Sequence, residues 1–166
     1  MNVFFSTGKV RVGNVGATLT DEDNLIATIQ SGEFNLTFQE KKLMEAAQIS
    51  TFALLTSFYG GSAKFKFDSN DIVADLLVRI GGAVKTQQGG RDIYTIGKQS
   101  KPSFCKVEFE GEDVDGNTGI VTLNKAYALS LPISLKLDDH ASISIEFEGL
   151  PDNTGAVCST SFVTPV

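Results

Sequence analysis

Apolar residues recur at every second position in four separate stretches of this chain, and that period decides what it can fold into. In "EFNLTFQ", Phe34, Leu36 and Phe38 alternate with Glu33, Asn35, Thr37 and Gln39. In "SAKFKFD", Ala63, Phe65 and Phe67 alternate with Ser62, Lys64, Lys66 and Asp68. In "SISIEFE", Ile143, Ile145 and Phe147 alternate with Ser142, Ser144, Glu146 and Glu148, and "FCKVEFE" puts Cys105, Val107 and Phe109 on one side. Successive side chains of a strand point to opposite faces, so each stretch reads as a strand buried on one side and wet on the other. The closing "GAVCSTSFV" is a last strand with weaker alternation. Turn residues between the runs predict a mainly β fold, an antiparallel β-sandwich or barrel.

One segment departs from this period. In "DSNDIVADLLVRIGG", Ile72, Val73, Leu76, Leu77 and Ile80 follow helical spacing and predict one flanking α-helix over about residues 69–81. Ser69 or Asn70 is positioned to cap its start, and Gly81 with Gly82 to end it in the left-handed conformation. Residues 85–103 read as a long loop holding the short strand "DIYTI". Gly60–Gly61, between two strand-like runs, reads as a hairpin turn. Over 39–61 helix formers give way to β-formers, and pattern alone leaves the conformation open.

The 166 residues suit a single domain with a real core, spanning 1–166. No segment is long and apolar enough to span a bilayer, and the N-terminus lacks the features of a secretory signal, so a complete, soluble chain with no membrane partner is expected. The net charge of −6 disfavours holding DNA, because that affinity comes from basic contacts and counterion release. Cys105 and Cys158 lie far apart in alternating segments, which suits free thiols acting as small apolar fillers.

The chemical motifs fail one by one. "EDVDGNTG" spaces Asp113, Asp115 and Asn117 like a calcium loop, yet the sixth and twelfth positions from Asp113 are Thr118 and Asn124 instead of Gly and Glu. This stretch and "PDNTG" at 151–155 read as tight reversals, which Asp, Asn and Gly favour. His140 is the only histidine, and no nucleophile elbow accompanies it. The glycine pairs match no phosphate loop, and one His with two scattered Cys supports no zinc site. Paired glycosidase carboxylates are disfavoured by the absence of Trp and by Phe at core positions. No enzyme activity, cofactor or metal is expected.

The order of features resembles that of the bacteriophage tail tube protein family (major tail proteins). A strand pair, "GKVRVGNVGATLT" and "LIATIQSGEFNLTFQE", precedes "EKKLMEA", with Glu40, Lys42 and Leu43. "YGGSAKFKF" then leads into the amphipathic "NDIVADLLVRIGG". The second half runs "KPSFCKVEFEGED", "IVTLNKAYALSLPISL", "KLDDHASISIEFEGLPD" and a short final strand after Gly155.

The resemblance implies a subunit that forms hexameric rings, stacked into a hollow tube around a tape-measure protein, with DNA passing through without specific binding. It implies a virion tail component, assembled in the host bacterial cytoplasm together with other tail proteins. The candidate lumen-facing residues are Glu33, Asn35, Thr37, Gln39, Ser142, Ser144, Glu146 and Glu148, with Lys64 and Lys66 interrupting the acidic character. Asp113 and Asp115 are the candidate inter-ring turn. Two alternatives stand beside it: another virion or secretion-tube component, such as a decoration or tail terminator protein, and a carbohydrate-binding β-sandwich.

Overall fold

The computed structural model of the chain describes residues 7–29, 31–43, 55–69, 75–98, 100–112, 116–130, 133–134 and 142–162. Eleven strands and two short helices follow in order: β1 Thr7–Gly13, α1 Asp21–Asn24, β2 Leu25–Ile29, β3 Ser31–Leu43, β4 Leu55–Ser69 and α2 Leu76–Gly81. Then come β5 Val84–Gln88, β6 Arg91–Thr95, β7 Cys105–Glu112, β8 Thr118–Ser130, β9 Ile133–Ser134, β10 Ser142–Gly149 and β11 Cys158–Phe162.

Nine strands form one antiparallel sheet along the path β2-β1-β7-β8-β10-β4-β3, with β11 on β8 and β9 on β10. Chain connectivity makes this sheet curl. β2 and β3 are the two ends of the path, yet only residue 30 separates them in sequence. The two edges must therefore meet at one corner, where the buried Ser69 hydroxyl at the end of β4 donates to the Thr28 carbonyl of β2 at 2.8 Å. The Phe65 and Phe109 rings, on β4 and β7, approach to 5.4 Å across the inside of the curl although two strands lie between them in the sheet. The mainly β half-barrel matches the fold class read from the alternation.

The core fills the concave side with the residues that the alternation assigns to it. Ala63, Phe65 and Phe67 of β4, Ile145 and Phe147 of β10, and Cys105 and Val107 of β7 are buried, together with Val10, Val12, Leu123, Ala126 and Ala128. The Phe67 and Phe147 rings stack at 6.3 Å, a separation at which aromatic pairs attract beyond their buried area. α2 closes one opening of the curl with Leu76 and Ile80, as the helical stripe predicts. Its end is also as expected: Gly82 takes φ 66° in the left-handed region. Arg79 ties the helix to the first turn of the chain, donating to the carbonyls of Val12 and Asp23 and to Asn24 Oδ1.

Several expectations are corrected. Ser69 ends β4, and Asp75, at the position preceding α2, makes no side-chain capping bond. Residues 70–74, including Asn70, Ile72 and Val73, lie outside the described residues. A second helix, α1, was not anticipated. Gly60–Gly61 is not a hairpin turn but lies within β4, where pairing passes from Phe38↔Gly61 to Gln39↔Tyr59 and leaves Gly60 as a bulge. In 39–61, the strand continues to Leu43 and resumes at Leu55, and residues 44–54 lie outside the description. The 85–103 loop is in fact built on a hairpin, β5–β6, reversed by Gly89 and Gly90 at φ 59° and 75°. Two consecutive positive φ values make the primed turn whose twist suits a two-residue hairpin. Leu36, expected inside, is 46% exposed because β3 is an edge strand and extends past the core.

Candidate functional site

Strand register gathers the predicted polar residues into rows across the convex side of the sheet. Glu33 of β3 pairs with Lys66 of β4, which pairs with Glu146 of β10. In the next row Asn35 pairs with Lys64, Lys64 with Glu148, and Glu148 with Tyr127 of β8. Thr37 stands beside Ser62, and Ser144 beside Asp68. Paired residues of an antiparallel ladder share a face, so six of the eight residues read from sequence lie together. Ser142 pairs with Ser134 of β9 rather than with β4, and Gln39 follows the bulge; for these two only the backbone is described.

The electrostatics of this face alternate by strand. Glu33, Asp68, Glu146 and Glu148 stand around Lys64 and Lys66, so carboxylates outnumber cations; Lys66 lies between Glu33 and Glu146, and Lys64 between Asn35 and Glu148. Lys64 Nζ lies 3.4 Å from Glu146 Oε1, and Asn35 donates to Glu33 Oε1 at 2.8 Å. The Tyr127 hydroxyl donates to Glu148 Oε2 at 2.6 Å, and the need to keep that proton raises the tyrosine pKa. Among the described side chains this surface is polar and carries more carboxylates than cations.

A second cluster lies on the β1–β7 part of the same face. The Arg11 guanidinium is buried and donates to Asp21 Oδ1 at 2.6 Å, Glu108 Oε1 at 3.2 Å and Glu110 Oε2. Burial alone would lower the Arg11 pKa; the bonds to Glu110 and Asp21 outweigh it and raise the value. The Arg11 hydrogen bond, followed by the one from Lys9, holds the Asp21 carboxyl below its ordinary range. Sequence reading missed this site, since its acids lie 10, 97 and 99 residues from Arg11. The only available signal was a cation at the wet position of "KVRVG" opposite the wet acids of "KVEFE".

The two reversals behave as corners. The carboxylate of Asp152 accepts the Thr154 amide at 2.8 Å, the Thr154 hydroxyl at 2.6 Å, the Ala156 amide at 3.0 Å and Asn124 Nδ2 at 3.0 Å. These bonds, led by the Thr154 hydroxyl, lower its pKa and occupy both its oxygens. The other loop joins Glu112 to its ladder partner Thr118, with Gly116 at φ 80°. Asp113 and Asp115 themselves lie outside the described residues, as does His140. An open cleft of about 470 Å³ is lined by Val15, Phe104, Lys106, Asn124, Lys125 and Asp152, whose one carboxylate belongs to the turn. Among the described residues no three His, Cys, Asp or Glu side chains group as a metal site, and no helix is long and apolar enough to cross a membrane.

The curled sheet with its capping helix has counterparts among solved structures. A chain of the sheath-tube complex of an extracellular contractile injection system, in its extended state, superposes with a TM-score of 0.55 at 12% identity. The match covers 98% of this chain and 93% of that one. A chain of the anti-feeding prophage cap, a tube-terminating cap, gives a TM-score of 0.55 at 8% identity over the same shares. The fold is the tail-tube fold. No protein-family model and no curated protein matches the sequence, so the tail-tube fold is recognised here through shape.

Proposed function

We propose that this chain is the structural subunit of a phage tail tube, a single tail-tube-like domain over 1–166 that closes into hexameric rings and stacks into a hollow conduit for DNA. The observation that carries the reading is the free side of β3. The 13 residues of Ser31–Leu43 pair with β4 on one side, and no described strand pairs with the other. A long open edge is an aggregation hazard for a lone chain, and a neighbouring copy in a closed ring removes it. The exposed Leu36 supplies apolar surface to the same contact.

In this reading Glu33, Asn35, Thr37, Gln39, Ser142, Ser144, Glu146 and Glu148 face the channel. Lys66 stands between Glu33 and Glu146 there and Lys64 beside Glu148 and Glu146, so the wall keeps a net negative field that repels phosphates and favours transit over sticking. Asp113 and Asp115 lie at the ring rim and contribute to stacking. The partners are further copies, a tape-measure protein and other tail proteins, with no membrane, cofactor or catalytic step. The place of action is the virion tail, after assembly in the bacterial cytoplasm.

Negative-stain microscopy of the purified chain, alone and with tail partners, tests the reading: rings or filaments are expected. A chain that stays monomeric under every condition overturns it. The likeness to a tube-terminating cap favours one second reading, a ring that ends a tube. Rings that never stack select it.

A further inference from the structure

We infer that the β5–β6 hairpin is a clasp between copies of this chain, its exposed Val84–Ile93 face seated on the acidic β1–β7 flank of a second copy. The inference rests on the tube reading above and adds a contact separate from the β3 edge.

The two faces of the hairpin differ. Lys85 and Tyr94 are ladder partners on one face, and both reach Asp75 Oδ1 beside α2, at 3.0 and 2.9 Å. Lys85 also pairs with Asp92 at 3.1 Å, and its ammonium lies 5.5 Å from the centre of the Tyr94 ring. One face is therefore fastened to the body. The pairs Val84↔Thr95 and Thr86↔Ile93 form the opposite face, where Val84 is 62% and Ile93 40% exposed. Ile96, just past the strand, is 58% exposed. A two-stranded hairpin is marginal in water by itself, and this one presents its apolar side to nothing in its own chain among the described residues.

Charge selects the occupant. Residues 84–101 hold Lys85, Arg91, Lys98 and Lys101 but only one acid, Asp92, in a chain whose net charge is −6. A basic element with an apolar stripe fits an acidic protein surface, and the chain supplies one. Asp21, Glu22, Asp23, Glu108, Glu110 and Glu112 crowd the β1–β7 flank against Lys9, Arg11 and Lys106. Complementary potentials of this kind align like subunits that net charge would otherwise keep apart. In the sheet order β8 separates this flank from the β3–β4–β10 rows.

The test uses the full chain with a photo-crosslinking residue in place of Ile93, together with charge reversal. In the assembled protein, irradiation is expected to yield a covalent dimer joined to the β1–β7 flank. The pair Arg91→Glu with Lys98→Glu is expected to lower the assembled fraction about tenfold. Adding Glu22→Lys and Asp23→Lys in the same chain restores it, with the melting midpoint of the monomer unchanged because all four residues are exposed. Wild-type assembly with no dimer band, or assembly unaffected by the Arg91 and Lys98 reversals, overturns the clasp and leaves the tube reading standing. A wild-type chain that never assembles overturns both.

Discussion

The Ser69 hydroxyl donates a 2.8 Å hydrogen bond to the Thr28 carbonyl, tying β4 to β2 at the corner where the chain crosses between the two edges of the sheet. Ser69 is fully buried, so its bond is shielded from water. Ser69→Ala is expected to cost about 1–3 kcal/mol, the range for losing one partner of a buried hydrogen bond. Chemical denaturation should show a lower midpoint with an unchanged m-value. An unchanged midpoint means that connectivity alone holds the corner.

Arg11 binds three carboxylates from two other elements, so its removal leaves Glu108 and Glu110 facing each other with their cation gone. Arg11→Met keeps the apolar stem and should destabilise the fold by about 3 kcal/mol. The cluster also sets an acid limb. The folded pKa of Asp21 lies below its unfolded value, so its contribution is present above that unfolded pKa, near ~3.9, and is lost as pH falls through the folded value. Wild-type stability should fall below about pH 4, and the Arg11→Met variant should show a shallower fall. Equal slopes in the two proteins contradict this account.

The reversal at Asp152 is a turn held by its own carboxylate, with both oxygens engaged. Calcium or a chelator should leave the melting midpoint where it is. Asp152→Ala, which strips three local acceptor contacts, should lower it by a few degrees. A calcium-dependent rise in the midpoint would restore the metal-loop reading.

The two thiols should differ in reactivity. Cys105 is buried, with its sulfur 3.5 Å from the Ala126 carbonyl oxygen and its pKa pushed up to about 12 by burial. Cys158 is free and half-buried on β11. A thiol reagent at neutral pH should label Cys158 in the folded protein and Cys105 only on unfolding. Equal labelling rates count against the described core.

Period-two alternation was enough to find the core, because Phe65, Phe67, Ile145 and Phe147 point the way their spacing demands. It failed where burial depends on position in the sheet. Leu36 obeys the same period but lies on an edge. Ser69 reads in sequence as a possible helix cap, and its bond to Thr28 becomes visible only once the corner closes. Of the β5–β6 hairpin only β6 was legible, as the short strand "DIYTI"; β5 escaped because an exposed ribbon needs no alternation, although Gly89–Gly90 marks the turn. The charged residues were visible singly, but their rows were not. Which lysine stands between which glutamates follows from register between strands over a hundred residues apart, such as Glu33 and Glu146 across Lys66.

The most direct test of the tube reading is a cryo-EM reconstruction of the assembled wild-type chain. The account predicts stacked six-fold rings in which a neighbour pairs with the free side of β3 and the Glu33, Glu146 and Glu148 face lines the channel. Rings that turn this face outward, or a chain that forms no ring at all, would contradict it.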